Sequence, residues 1–94
     1  MKNEDIGYIW KSRNITAPQK IQAEGYHGVM FHNAGDKRAY INESPCAPLK
    51  GLSFLDSNLN ARDYSEYKIT FEAGATETKV IMWYREKVEI KENC

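Results

Sequence analysis

Near its C-terminus the chain carries two segments in which apolar and polar residues alternate. In residues 66–72 (EYKITFE) the apolar members are Tyr67, Ile69 and Phe71. In residues 77–90 one face of an extended strand carries Val80, Met82, Tyr84, Val88 and Ile90. A period of two is typical of strands that bury one face. The pattern therefore predicts two neighbouring strands in a mainly β fold.

We predict that these segments pair as an antiparallel hairpin, 64–72 with 77–90, around a turn at residues 73–76 (AGAT). If Glu72 lies opposite Glu77, the apolar residues of both strands share one face, because the cross-strand pairs become Phe71–Thr78, Ile69–Val80 and Tyr67–Met82. A helix is the alternative for 77–90, since some apolar positions also fit helical spacing. The concentration of β-branched and aromatic residues favours the strand.

The rest of the chain gives weaker signals. A second hairpin is predicted for 27–32 with 37–43 around the turn NAGD, and a further strand at 6–10 (IGYIW). Capping-box spacing predicts a short helix within 16–25, and three leucines at helical spacing predict another over 52–59.

Two prolines in residues 42–51 predict a loop there. Together these segments predict a single mainly β domain over 1–94, with about five strands and one or two short helices. We expect a small antiparallel curved sheet or barrel, whose core contains Val29, Tyr67, Ile69, Phe71, Val80 and Met82.

The balance of acidic and basic residues argues against partners that are attracted by a strong net charge. Thirteen basic residues match thirteen acidic ones, so nothing in the net charge steers the chain toward nucleic acid or an anionic membrane. The N-terminus lacks the continuous apolar core of a signal peptide, and no stretch approaches the ~18–20 apolar residues of a membrane span. We therefore expect a cytoplasmic protein without membrane contact, in which Cys46 and Cys94 are free thiols.

The sequence gives only weak evidence for a catalytic or metal-binding site. The set His27, His32, Cys46 and Cys94 has the residue types of a zinc site, but its spacing fits no compact zinc motif. A small toxin-type ribonuclease is an open alternative, and it would use His32, Arg38, Tyr40 and Glu43. No phosphate loop, nucleophile elbow or dinucleotide fingerprint is present. We expect a protein that is not an enzyme and has no cofactor.

The candidate binding residues lie on the second face of 77–90. Ile81 and Trp83 are apolar residues that the predicted core does not use, and aromatic residues within a charged rim are typical of interface hot spots. The predicted surface consists of Trp83, Ile81, Arg85, Lys79, Glu66 and Lys68, with Glu66 and Lys68 as cross-strand neighbours of Trp83.

We expect this surface to bind a protein, either a second copy or a target that the chain inhibits or regulates, as small phage or plasmid accessory proteins do. Acidic and basic residues interleave in residues 85–92 (REKVEIKE). Because phosphate contacts dominate nucleic-acid affinity, this mixing ranks protein above nucleic acid. A nucleic-acid-binding β-barrel and a small-ligand module stay open as alternatives.

Overall fold

The structure, a computed structural model, describes residues 4–55, 58 and 60–91. These residues form eight strands and no helix: β1 (Glu4–Ile15), β2 (Gln19–Gln22), β3 (Val29–Asn33), β4 (Ala39–Ile41), β5 (Ser44–Cys46), β6 (Gly51–Phe54), β7 (Glu66–Phe71) and β8 (Val80–Lys91). In this part of the chain, nothing has the length and apolarity of a membrane-crossing helix. The mainly β prediction is confirmed, but the described residues form eight strands rather than about five.

The strands form two antiparallel sheets of four strands each. The first sheet has the order β1-β8-β3-β6, and the second has the order β2-β7-β4-β5. Among the described strands, only β4 and β5 are consecutive in the chain and also paired with each other. Their two-residue turn has φ values of 49° at Asn42 and 70° at Glu43, as a tight hairpin turn requires. The other connections carry the chain from one sheet to the other.

One apolar core lies between the two sheets. The buried apolar residues of the first sheet are Ile15, Val29, Phe31, Val80 and Met82, and those of the second include Ile21, Ile41, Tyr67 and Ile69. Phe31 and Tyr67 meet across the core with ring centroids 5.1 Å apart. Burial of each such large side chain contributes about 1.5–3 kcal/mol. The predicted core residues are confirmed, with Phe71 packed against the core but only partly buried.

The predicted hairpin of 64–72 with 77–90 is wrong. Strand β7 pairs with β2 and β4, whereas β8 pairs with β1 and β3 in the other sheet. The alternation correctly showed that both strands face one core. It did not show whether they face it from the same sheet or from opposite sides, because both arrangements bury the same side chains.

The second predicted hairpin, 27–32 with 37–43, is also wrong, since β3 and β4 belong to different sheets. The segment between them crosses over, and a carboxylate holds it against the connection from β7 to β8. Asp36 accepts hydrogen bonds from the backbone of Thr76 (3.1 Å) and Glu77 (3.2 Å). A Cβ atom at Gly35 would lie 2.5 Å from the Glu77 carbonyl oxygen, so only glycine fits this contact.

Strands replace part of each predicted helix, 19–22 in the first and 52–54 in the second, and residues 44–46 of the predicted loop are also a strand; residues 56, 57 and 59 of the second helix lie outside the described residues. Within 16–25, Ile21 and Ala23 are buried at a period of two, and pairing of β2 with β7 overrides the local capping signal. Within 52–59, Leu52 lies opposite Phe31 in the pairing of β6 with β3, and Leu59 lies outside the described residues. Pro45 is tolerated in β5 because this strand is an edge of the second sheet.

A two-stranded arm extends the first sheet. Strands β1 and β8 pair over twelve residues without interruption, from Glu4↔Lys91 to Ile15↔Val80. Strand β3 covers only the first half of β8, so among the described residues 4–9 and 86–91 pair only with each other. The Cα radius of gyration is therefore 15.9 Å, compared with about 12 Å for a compact chain of this length.

Candidate functional site on the outer face of the first sheet

The register of the first sheet places the predicted hot-spot residues on the face directed away from the core. Residues directly opposite each other in an antiparallel pair share a face. Trp83 lies between Ser12 and Met30, and Ile81 lies between Asn14 and His32. The neighbouring rows pair Trp10 with Arg85 and Tyr8 with Lys87. We call these four rows, completed by Gly51 and Ser53 of β6, the outer face of the first sheet.

Side chains of this face are open to solvent. Trp83 is 38% exposed and Trp10 is 39% exposed, whereas Met82, the next residue on β8, is fully buried. Leu55, directly after β6, adds a further exposed apolar side chain at the border of the face. The fold thus leaves two tryptophans uncovered although its core is already filled.

Arg85 is held in place by contacts on several sides. Its Nε donates a 2.7 Å hydrogen bond to the His27 carbonyl oxygen. Its guanidinium carbon lies 5.0 Å from the ring centroid of Trp10 and 5.6 Å from that of Tyr8. These cation–π distances fall within the attractive range. Arg85 therefore fixes both aromatic rings at the base of the arm.

Gly28 permits this arrangement. Its φ is 129°, and a Cβ atom there would lie 2.6 Å from Cδ2 of Leu55 and 3.2 Å from Nη2 of Arg85. The absence of a side chain lets Leu55 and Arg85 approach the backbone of Gly28 from the outer face. A side chain at residue 28 would push this corner of the face apart.

The charge of the face is one-sided. The four rows contain Arg85, Lys87 and His32 but no Asp or Glu. Glu86 points to the opposite side, where its carboxylate pairs with Lys11 at 2.6 Å. The pleat of the strand therefore separates Glu86 from Arg85 and Lys87. Within its four rows the outer face combines aromatic and cationic groups without a carboxylate.

The predicted site is only partly assembled by the structure. Trp83, Ile81 and Arg85 share the outer face, and exposed Lys79 directly precedes β8. Glu66 and Lys68 do not border Trp83, because they lie on β7 in the second sheet. Tyr8, Trp10 and Met30 take their place. The strand predicted at 6–10 puts Tyr8 and Trp10 on one side, because they are two residues apart, but nothing local indicates that β1 pairs with β8.

The residues considered for a ribonuclease site or a zinc site do not come together in the structure. His32 lies on the first sheet, while Tyr40 lies on β4 in the second sheet between buried Ala39 and Ile41, so the two point away from each other. The described residues contain no metal-binding cluster of three or more His, Cys, Asp or Glu; Cys94 lies outside them. Cys46, expected in a loop, is buried on β5, and burial raises the pKa of its thiol.

A cavity of about 360 Å³ lies beside this face, lined by Tyr26, His27, Phe54, Leu55, Asp63 and Tyr67, among others. The Tyr67 hydroxyl donates a hydrogen bond to Asp63, whose other oxygen accepts a 2.7 Å bond from the Ser65 amide. Burial, with the bond to Asp63, raises the pKa of Tyr67 above its usual range. These polar groups bind each other and hold the 60–65 segment against the core.

Comparison with known proteins adds no family or relative. No family model matches the chain, and none of the curated proteins matches it significantly.

Proposed function

We propose that the chain is a non-catalytic binding protein whose outer face of the first sheet recognises a partner protein. The observation that carries the proposal is the exposure of Trp83 and Trp10 on a face whose opposite side already forms the core. Two partly exposed tryptophans on a hydrogen-bonded sheet offer a large contact area with little loss of conformational entropy on binding.

The composition of the face matches the centre of a protein interface. Tryptophan, tyrosine, methionine and arginine are enriched in interfaces, whereas aspartate and glutamate are depleted. Trp83, Trp10, Tyr8, Met30 and Arg85 fit this description. Because the four rows are cationic and contain no carboxylate, the complementary partner surface combines an apolar site with acidic residues around it.

Single-stranded nucleic acid is a second candidate, favoured by the same lack of carboxylates beside exposed aromatic rings. Two observations rank it lower. The face offers only Arg85 and Lys87 as permanent cations, whereas phosphate contacts supply most nucleic-acid affinity. Arg85 is also already engaged with His27 and Trp10.

The proposal is tested with wild type, Trp83→Ala and the matched control Thr70→Ala, which changes the outer face of the second sheet. Each form is used to capture partners from a lysate of the natural source, and the captured protein is purified and titrated by calorimetry. We expect Trp83→Ala to weaken binding by roughly 2 kcal/mol or more and Thr70→Ala to change it little.

A separate assay tests nucleic-acid binding. Electrophoretic shifts with single-stranded DNA and RNA at moderate salt should show no binding that depends on Trp83. A shift that is lost in Trp83→Ala would favour the second candidate. Equal affinity of wild type and Trp83→Ala for the captured protein would contradict the protein-binding proposal, and the absence of any Trp83-dependent shift would contradict the second candidate.

A further inference from the structure

The four edges of the two sheets differ in length and protection. Strand β2 has four residues, β6 has four, and β5 has three including Pro45. Short strands and prolines are the usual devices that prevent edges from pairing with other chains. Strand β1 is also an edge, but it has twelve residues, no proline and a register without bulges. Of the described strands, only β8 pairs with it.

The open edge of β1 is apolar on both faces near its middle. Ile9 is 44% exposed and Trp10 is 39% exposed, and they point to opposite faces of the strand. Ile9 belongs to the arm, and an isolated two-stranded ribbon is marginally stable in water. A further strand along β1 would satisfy its unpaired backbone and place side chains beside Ile9 and Trp10, while the outer face stays open.

The charge pattern of β1 complements itself. Glu4 and Asp5 stand at its beginning, whereas Lys11 and Arg13 stand toward its end. Antiparallel pairing of two copies therefore brings the acidic end of each strand to the basic end of the other. An edge pairing between identical strands also closes with two-fold symmetry, the commonest form of oligomer.

Symmetry and charge together select one register. A two-fold axis perpendicular to the sheet places one residue of β1 opposite its own copy. With Ile9 at the axis, residue 5 faces residue 13 of the second copy, and residue 8 faces residue 10. Arg13 is exposed, whereas Lys11 is already paired with Glu86, which favours this register over pairing of residue 5 with residue 11.

We infer that the chain forms a homodimer in which the β1 strands of two copies pair antiparallel, centred on Ile9, to join the first sheets into one sheet of eight strands. The arm of each copy then lies beside the body of the other and gains a second neighbouring strand. The dimer uses the edge of the sheet and does not depend on the partner proposed for its outer face.

Engineered disulfides test the register. In a Cys94→Ser background, Ile9→Cys places a thiol at the axis, where directly opposite Cα atoms are about 4.5–5.5 Å apart, within disulfide reach. The matched control Ser12→Cys lies about 20 Å from its own copy in this register. We expect mild oxidation to cross-link Ile9→Cys but not Ser12→Cys. The background variant controls for buried Cys46.

Sedimentation velocity supplies the second measurement. The wild type should form dimers, and the dimer fraction should rise as the protein concentration is increased to about 100 μM. Ile9→Lys should weaken dimerisation by about 100-fold, because two like charges meet at the axis. Arg13→Glu should weaken it less, and Trp83→Ala should leave it unchanged. Circular dichroism of each variant confirms that it remains folded.

The possible outcomes are distinct. Cross-linking of Ile9→Cys alone, together with a wild-type dimer, supports the inference. A wild type that stays monomeric would overturn it, as would equal cross-linking of Ile9→Cys and Ser12→Cys. If Trp83→Ala dissociates the dimer and Ile9→Lys does not, the edge inference is wrong and the contact lies on the outer face.

Discussion

The two sheets present very different outer faces to solvent. The four rows of the first sheet carry two tryptophans, a tyrosine, a methionine and cationic groups, and these rows contain no carboxylate. The outer face of the second sheet carries mostly polar and charged residues, which are Lys20, Gln22, Tyr40, Glu66, Lys68 and Thr70, together with Pro45. Both sheets face the same core and need only one apolar side for stability. The apolar residues on the outside of the first sheet are therefore surplus to the fold.

This contrast is the reason for our proposal that stability and recognition use different faces of the same strands. On β8, Val80 and Met82 fill the core, while Ile81 and Trp83 point outward. On β7, Tyr67 and Ile69 are equally buried, but their neighbours Glu66 and Lys68 are charged and exposed. A sheet that serves only the core has a polar outer face, as β7 shows. Strand β8 departs from this pattern, which is why we place recognition there.

The largest expected effect compares the two faces of the first sheet. Phe31→Ala should lower the free energy of unfolding by about 3–5 kcal/mol, since it empties a fully packed core position. Trp83→Ala should lower it by less than about 1.5 kcal/mol, because the ring is already partly in water. Thermal melts and urea titrations of both variants measure the difference. A loss for Trp83→Ala as large as that for Phe31→Ala would show that the outer face is structural.

A medium effect is expected at Arg85. Arg85→Lys keeps the charge but loses the planar contact with Trp10 and the Nε hydrogen bond to His27, so it should destabilise the fold by about 1–2 kcal/mol. Partner affinity should fall as well, because the Trp10 ring is no longer fixed. The control Lys87→Arg, one row further along the same face, should change neither quantity by more than about 0.5 kcal/mol. Urea titration and calorimetry measure the two quantities.

The smallest expected effect is a gain on the outer face of the second sheet. Lys20 lies directly opposite Lys68, and like charges at such positions are unfavourable. Lys68→Glu should therefore stabilise the fold by about 0.2–1 kcal/mol, and this gain should shrink at high salt. Partner binding should not change. Lower affinity of Lys68→Glu for the captured partner would extend recognition to the second sheet and weaken the contrast between the faces.

Local pattern was enough to predict the face of several strands. The alternation of residues 66–72 and 80–84 separated the buried residues Tyr67, Ile69, Val80 and Met82 from exposed Trp83. Such assignments depend only on the period of two in an extended backbone, which holds whichever strands become neighbours. The mainly β class followed from the same period.

Strand partners were decided by tertiary structure alone. Strand β8 pairs with β1, some seventy residues earlier in the chain, and no turn or local spacing records such a contact. The alternation fits both a hairpin and two strands that face each other across a sandwich. The sequence alone therefore determined which side chains are buried, but not which strands pair. Packing of the two sheets around one core then decided the neighbours of Trp83. These neighbours are Ser12 and Met30, with Trp10 and Arg85 in the next row. The predicted neighbours Glu66 and Lys68 lie in the other sheet.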